Sequence, residues 1–219
     1  MINLNIIDTF KQHKNPDNSI PMKAYMKNQF EFLGIKTPLR RELAKPFFKE
    51  MDKKAPINKE LVESLWNEEF REFQYLGVDY LIREKKKLQK DDITFIKDLI
   101  TKKPWWDTVD LIASHLVGEI CKKYPELVDE YILKWSQGKD MWLRRSAILF
   151  QLKYKENTNT KVLEKVILDN NEDKEFFIEK AIGWALREYS KTNKEWVKNF
   201  IATNKLSNLS IREASKYLD

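Results

Sequence analysis

The hydrophobic positions of this chain recur at helical spacing. Apolar residues fall three and four apart along most of its length, which gathers them on one face of a helix. Alternating patterns are short and lie inside helical ones. Capping signals punctuate the pattern. Asn58 precedes KELVESLW, and Asp91 with Asp92 precedes ITFIKDLI. Ser19 with Pro21, and Thr37 with Pro38, read as cap and first-turn proline pairs, and Gly138 reads as a helix stop. The pattern predicts helices over residues 3–13, 21–30, 38–51, 58–67, 70–86, 91–102, 105–123, 126–136, 140–154, 160–169, 174–191, 194–203 and 210–217, and no strand.

Four of the helix starts align. FREFQYLGVDYLIR opens at Phe70, WDTVDLIASHLVGE at Trp106, WLRRSAILFQLKYK at Trp142 and FIEKAIGWALREYS at Phe177, spaced 36, 36 and 35 residues apart. Each unit begins with an aromatic residue and is followed by a second amphipathic helix. Helix pairs at this period predict an all-α solenoid of HEAT-like repeats, here a single domain over residues 1–219. One helix of each pair then lines a concave face, so equivalent positions can be compared. Three residues after the aromatic stand Phe73, Val109, Arg145 and Lys180; four after it, Gln74, Asp110, Ser146 and Ala181; seven after it, Gly77, Ala113, Leu149 and Trp184. The shift from neutral residues to charges and indoles marks the later repeats as the working surface.

Within those repeats Trp106 and Asp110 share a helix face, as do Trp142 and Arg145, and Lys180, Trp184 and Arg187. Side by side, the three rows bring one carboxylate, several indoles and several cations into one groove. Each residue alone has a plainer explanation. A helical tryptophan is usually core, as Trp66 and Trp196 are expected to be, and a lone aspartate is usually a surface charge. Their coincidence at matched repeat positions favours a site.

Composition narrows the partner. The chain has 219 residues, 42% of them hydrophobic, and only five glycines, which argues against a Gly-rich phosphate loop. Lys plus Arg number 40 against 34 Asp plus Glu, a net charge of +6 that suits an anionic partner without demanding one. Cys121 is the single cysteine, so no disulfide, zinc or iron–sulfur site can be built from cysteines, and no metal or cofactor is expected. His13 and His115 are too isolated to act as catalysts. The N-terminal MINLNIIDTFKQHKN has no signal-peptide character, and no stretch reaches the ~18 apolar residues of a membrane span. A cytoplasmic protein without membrane contact is expected.

At this point the sequence resembles a known family. YMKNQFEFLGIKTPLRREL (25–43), KPWWDTVDLIASHLVG (103–118), MWLRRSAILFQLKYK (141–155) and EFFIEKAIGWALREYSKTN (175–193) are similar to the blocks of the AlkD-type DNA alkylation repair glycosylases, in order and spacing. LSIREASKYL (209–218) is similar to the family's closing helix. The resemblance implies a right-handed superhelix cradling duplex DNA, and excision of N3- and N7-alkylated purines, with the base held in or near the stack and not flipped out. It assigns the two functional tryptophans to Trp106 and Trp184, the catalytic carboxylate to Asp110 and the active-site arginine to Arg145. The expected partner is double-stranded DNA containing alkylated bases, bound by a monomer.

The residues suit that chemistry. An alkylated purine already carries positive charge and leaves readily, so a carboxylate such as Asp110 need only stabilise the oxocarbenium-like sugar and orient water. Indole faces attract the cationic base. Arg145 is expected to grip a phosphate or brace Asp110. Phosphate-binding candidates are Lys27, Thr37 at a helix N-terminus, Arg40, Arg41, Arg144, Lys153, Lys155, Lys180 and Arg187. Two other readings stand beside the glycosylase: a non-catalytic DNA-binding protein of the same family, which the intact Trp106, Asp110, Arg145 and Trp184 set disfavours, and a HEAT-type protein scaffold, which the basic later repeats disfavour.

Overall fold

A computed structural model of the protein describes residues 2–52 and 54–218. These residues are helical almost throughout; the one β contact among them is an isolated bridge between Glu31 and Phe70. None of their helices is long and apolar enough to cross a membrane. The chain divides into two compact units, residues 1–87 and 88–219.

The first unit holds α1 (Ile2–Gln12), α2 (Pro16–Tyr25), α3 (Thr37–Glu50), α4 (Lys59–Asn67) and α5 (Arg71–Glu84), with a 3-10 turn over Lys85–Lys87. α4 lies against α5, and α3 against α1 and α5. Phe10, Leu65, Trp66, Phe73 and Leu81 fill the core. The segment between α2 and α3 lies outside any helix, and Glu72 takes up three of its backbone N–H groups. Its buried carboxylate accepts the N–H groups of Leu33 (3.0 Å), Gly34 (2.9 Å) and Ile35 (3.1 Å). Gly34 has φ +88°, and a Cβ there would stand 2.0 Å from the Asn15 carbonyl oxygen, so only glycine fits.

The second unit holds α6 (Asp92–Thr101); a long helix made of α7 (Trp106–Leu111), a π segment (Ile112–Val117) and α8 (Gly118–Lys123); a π segment (Val128–Ile132) running into α9 (Leu133–Ser136); α10 (Met141–Leu149); α11 (Thr160–Leu168); α12 (Phe176–Ser190); α13 (Lys194–Thr203); and α14 (Asn208–Ala214), closed by a 3-10 turn over Ser215–Tyr217. α10 is central, packing on α6, α9, α12 and the π segment that follows α7. α12 in turn carries α13 and α14. Val109, Ile112, Leu116, Ala147, Ile148, Ile178, Ile182 and Leu186 form the interior. Cys121 is buried here, and burial pushes its thiol up to about 12, so it stays protonated and inert.

The aligned aromatic residues all fall at helix starts: Phe70 is the N-cap of α5, Trp106 the first residue of α7, and Trp142 and Phe177 the second residues of α10 and α12. Several predicted boundaries move. α2 begins at Pro16, not at residue 21, because Asn15 caps it by accepting from Asn18 N at 3.1 Å. Ser19 instead donates to the Pro16 carbonyl, and Pro21 lies inside the helix. Thr37 is the first residue of α3, with Lys36 at the cap position and no side-chain cap. α10 stops at Leu149, short of residue 154. Past it Gln151 turns across to bond both backbone groups of Asn159, at 2.8 and 3.2 Å, and the chain leaves the helix through turns. Asn58 acts as the cap its position suggests, accepting from Leu61 N, whereas Asp91 stands at the cap of α6 without a side-chain cap bond; Asp140 caps α10, accepting from Trp142 N and Leu143 N.

Candidate functional site

The candidate site is built from α7, α10 and α12. Asp140 caps α10 and fixes its first turn, so Arg145 projects from the next turn into the space between α7 and α12. The Arg145 side chain is 1% exposed, and every part of its guanidinium is engaged. Nε donates to Asp110 Oδ1 at 2.7 Å and Nη2 to Asp110 Oδ2 at 2.8 Å, a bidentate fork. Nη1 donates to the backbone carbonyl of Phe177 in the first turn of α12. The guanidinium therefore ties three helices together, α7 through the Asp110 carboxylate and α12 through the Phe177 carbonyl.

Asp110 sits one turn into α7, just before the π segment. The wider π turn leaves backbone carbonyls imperfectly matched, and the Ser114 hydroxyl takes up that of Asp110 at 2.7 Å. The Asp110 side chain is largely buried but keeps 18% exposure. Burial raises its pKa above the ordinary aspartate value. Arg145 opposes that rise, and the neighbouring Asp107 carboxylate adds to it.

Trp184 lies beside this pair, on the third turn of α12 and half-buried. Three cations approach its ring: Arg145 with Cζ 5.3 Å from the centroid, Lys180 with Nζ at 5.4 Å and Arg187 with Cζ at 6.0 Å. Trp106, also half-buried, stands one turn before Asp110 on the same face of α7. Trp142 has another place. It is buried against Trp105 and Phe177, in a three-ring cluster with centroids 5.0–5.6 Å apart, and so supports the site from beneath.

The cations proposed for phosphate contact divide into two groups. Lys27, Arg41, Lys153 and Lys155 are exposed, as is Thr37. Lys27 and Lys155 are held at φ 56° and 52°, a left-handed conformation that lysine rarely adopts. The others have internal partners. Arg144 pairs with Asp173, while Lys180 and Arg187 pair with Glu213 at 2.9 and 3.1 Å. Arg40 corrects its sequence reading: it is 7% exposed, bridges to Asp79 at 3.0 Å and lies 4.7 Å from the Tyr75 ring centroid, an internal brace with no face left for a phosphate.

Residue patterns missed three participants. Trp105 precedes the helix it supports, so helical spacing did not group it with Asp110. The Phe177 carbonyl acts through the backbone and leaves no residue-type signal. Glu213 lies in the closing helix, outside the aligned repeats. Its carboxylate is held down to about 2 by Lys216 and Lys180, which donate to it at 2.7 and 2.9 Å.

Comparison with known proteins agrees with the fold and the order of these elements. The pattern of a family described as DNA alkylation repair enzyme matches residues 6–218. No curated protein matches the sequence. Among solved structures, one described as a predicted DNA alkylation repair enzyme from Enterococcus faecalis is 35% identical, with a TM-score of 0.85 over 94% of this chain and 97% of that one. AlkD2 from Streptococcus mutans shares the helical-repeat fold at 21% identity, with a TM-score of 0.65 over 100% of both chains. An all-helical repeat chain with this match over nearly its whole length belongs to the DNA alkylation repair enzyme family.

Proposed function

We propose that this protein is a monofunctional DNA glycosylase that hydrolyses the N-glycosidic bond of positively charged N3- and N7-alkylated purines in duplex DNA. The observation that carries the reading is the Asp110 carboxylate, fixed through both oxygens by the buried Arg145 beside the Trp184 ring.

The chemistry needs little more. As the bond between C1′ and the base nitrogen breaks, its electron pair goes to the base, which departs neutral. The sugar is left with oxocarbenium character, and a carboxylate whose position is set in advance stabilises it without reorganising. Water then adds to C1′ and loses its proton to solvent. Arg145 is a positioning residue in this scheme: it holds Asp110 and braces α12 through the Phe177 carbonyl. Trp106 and Trp184 offer indole faces to the lesion, each worth about 0.5–2 kcal/mol for a cationic over a neutral base. Lys27, Thr37, Arg41, Lys153 and Lys155 contact phosphates, and the base need not leave the stack. The carboxylate is reached from the backbone side.

The test is release of N7-methylguanine or N3-methyladenine from methylated duplex DNA. Asp110→Asn is expected to lose roughly 10²–10³-fold in excision while keeping DNA binding. Wild-type protein that binds duplex DNA but frees no base would return the reading to a non-catalytic DNA-binding member of the family. Unimpaired turnover by the Asp110→Asn variant would refute the mechanism.

A further inference from the structure

Buried carboxylates outside Asp110 are few among the described residues of the second unit, and one stands next to the candidate lesion surface. Glu213 is 4% exposed, yet it belongs to the short closing helix α14. Three cations surround it. Lys180 and Arg187 reach it from α12, and Lys216 from the turn after α14, at 2.9, 3.1 and 2.7 Å. Two of them, Lys180 and Arg187, are the cations that flank Trp184 along its own helix.

The placement is fixed by backbone packing. A Cβ on Gly183, the residue before Trp184, would stand 2.5 Å from Glu213 Cβ and 3.0 Å from the Ser210 carbonyl oxygen. Ser210 also donates to the Glu179 carbonyl at 2.9 Å. α14 thus meets α12 at its glycine and delivers one carboxylate between two cations. Arg145, the third cation at the ring, already has its counter-ion in Asp110. Glu213 is the corresponding counter-ion for the remaining two.

A positively charged base approaching Trp184 therefore meets cations whose charge one shared carboxylate partly offsets. Without Glu213 it would meet Lys180 and Arg187 uncompensated at about its own contact distance, and their repulsion would oppose the attraction of the indole.

We infer that Glu213 is a specificity-determining residue: by holding Lys180 and Arg187 beside Trp184 and offsetting part of their charge, it keeps the indole receptive to a cationic base. The inference rests on the glycosylase reading. It also accounts for two lysine and arginine side chains that sequence alone would give wholly to phosphate.

The experiment compares binding to two duplexes, one with a single N7-methylguanine stabilised by a 2′-fluoro sugar and one with unmodified guanine on the same sugar. The ratio of affinities is read for wild type and for Glu213→Gln, which keeps shape and removes charge. The ratio is expected to fall roughly fivefold or more in E213Q. Affinity for the unmodified duplex should hold or rise, because Lys180 and Arg187 become free for phosphate. A purely structural role would lower both affinities together and leave the ratio unchanged, which overturns the inference. Lys180→Met carries the same test in reverse and leaves Glu213 with two partners. It should raise the ratio, and an unchanged or lowered ratio counts against the inference even if E213Q folds poorly. Base release by wild type keeps the two claims apart. Release with an unaltered E213Q ratio removes the inference alone, whereas wild type without release or lesion preference removes the glycosylase reading and the inference with it.

Discussion

At the scale of single residues, the Arg145–Asp110 fork links geometry to pH dependence. Burial raises the Asp110 pKa above the ordinary value and Arg145 restrains the rise. Removing the guanidinium charge, as in Arg145→Gln, removes the restraint, so the carboxylate takes up its proton at higher pH. If excision requires ionised Asp110, the acidic limb of the pH–rate profile should move to higher pH in R145Q, beyond any overall loss of rate. A limb that stays in place would mean that Asp110 does not govern it. Much of this site was legible in the sequence, because Trp106, Asp110, Arg145 and Trp184 fall at helical spacings on the first helix of successive repeats. The pairing itself was only half legible. Asp110 and Arg145 occupy different positions in their repeats, so no alignment column joins them, and contact with a phosphate remained an equal expectation for Arg145. The deciding detail, full engagement of all three guanidinium nitrogens, depends on the Phe177 carbonyl, which sequence does not display.

Among helices, the α12–α14 contact is the one whose failure would be felt most at the site. Gly183 permits the approach, so Gly183→Ala forces α14 away from α12 by the overlap with Glu213 Cβ. A destabilisation of about 1–3 kcal/mol is expected for such overpacking, read from denaturant unfolding. Unfolding indistinguishable from wild type would show that α14 docks more loosely than its geometry indicates. Helix existence was legible almost throughout, since amphipathic spacing over ten or more residues leaves little ambiguity. Ends were less so, as at α2, where two proline signals five residues apart compete and Asn15 with Pro16 wins. The π segments were not legible at all. A widened turn produces no compositional mark, yet here it follows directly after Asp110 and Leu111.

Over the whole molecule, a net charge of +6 describes the partner less well than the accounting of which cations are exposed. Lys27, Arg41, Lys153 and Lys155 are exposed, whereas Arg144, Lys180 and Arg187 are held by carboxylates. If, of the candidate cations, only these four reach phosphates, log affinity should fall against log salt with a slope of about −4. A slope of about −5 or steeper, roughly −0.9 for each further phosphate, that returns to about −4 when Arg144, Lys180 and Arg187 are replaced by glutamine would mean that paired cations leave their carboxylates on binding. Titration of duplex binding across salt concentrations distinguishes the two. Composition suited an anionic partner and the family resemblance made it DNA. The internal pairing that sets the number of available charges depends on tertiary contacts between residues some 26–33 positions apart, beyond the reach of local spacing.

The doubly held carboxylate also bears on which bases are left alone. Both Asp110 oxygens accept N–H bonds from a guanidinium, an arrangement that favours the ionised group over a proton donor. Departure of an intact purine requires protonation from somewhere, and departure of an alkylated one does not. A site organised around this fork would therefore spare ordinary nucleotides through acid–base incapacity, and undamaged DNA lying against it would be protected without any inspection of its sequence.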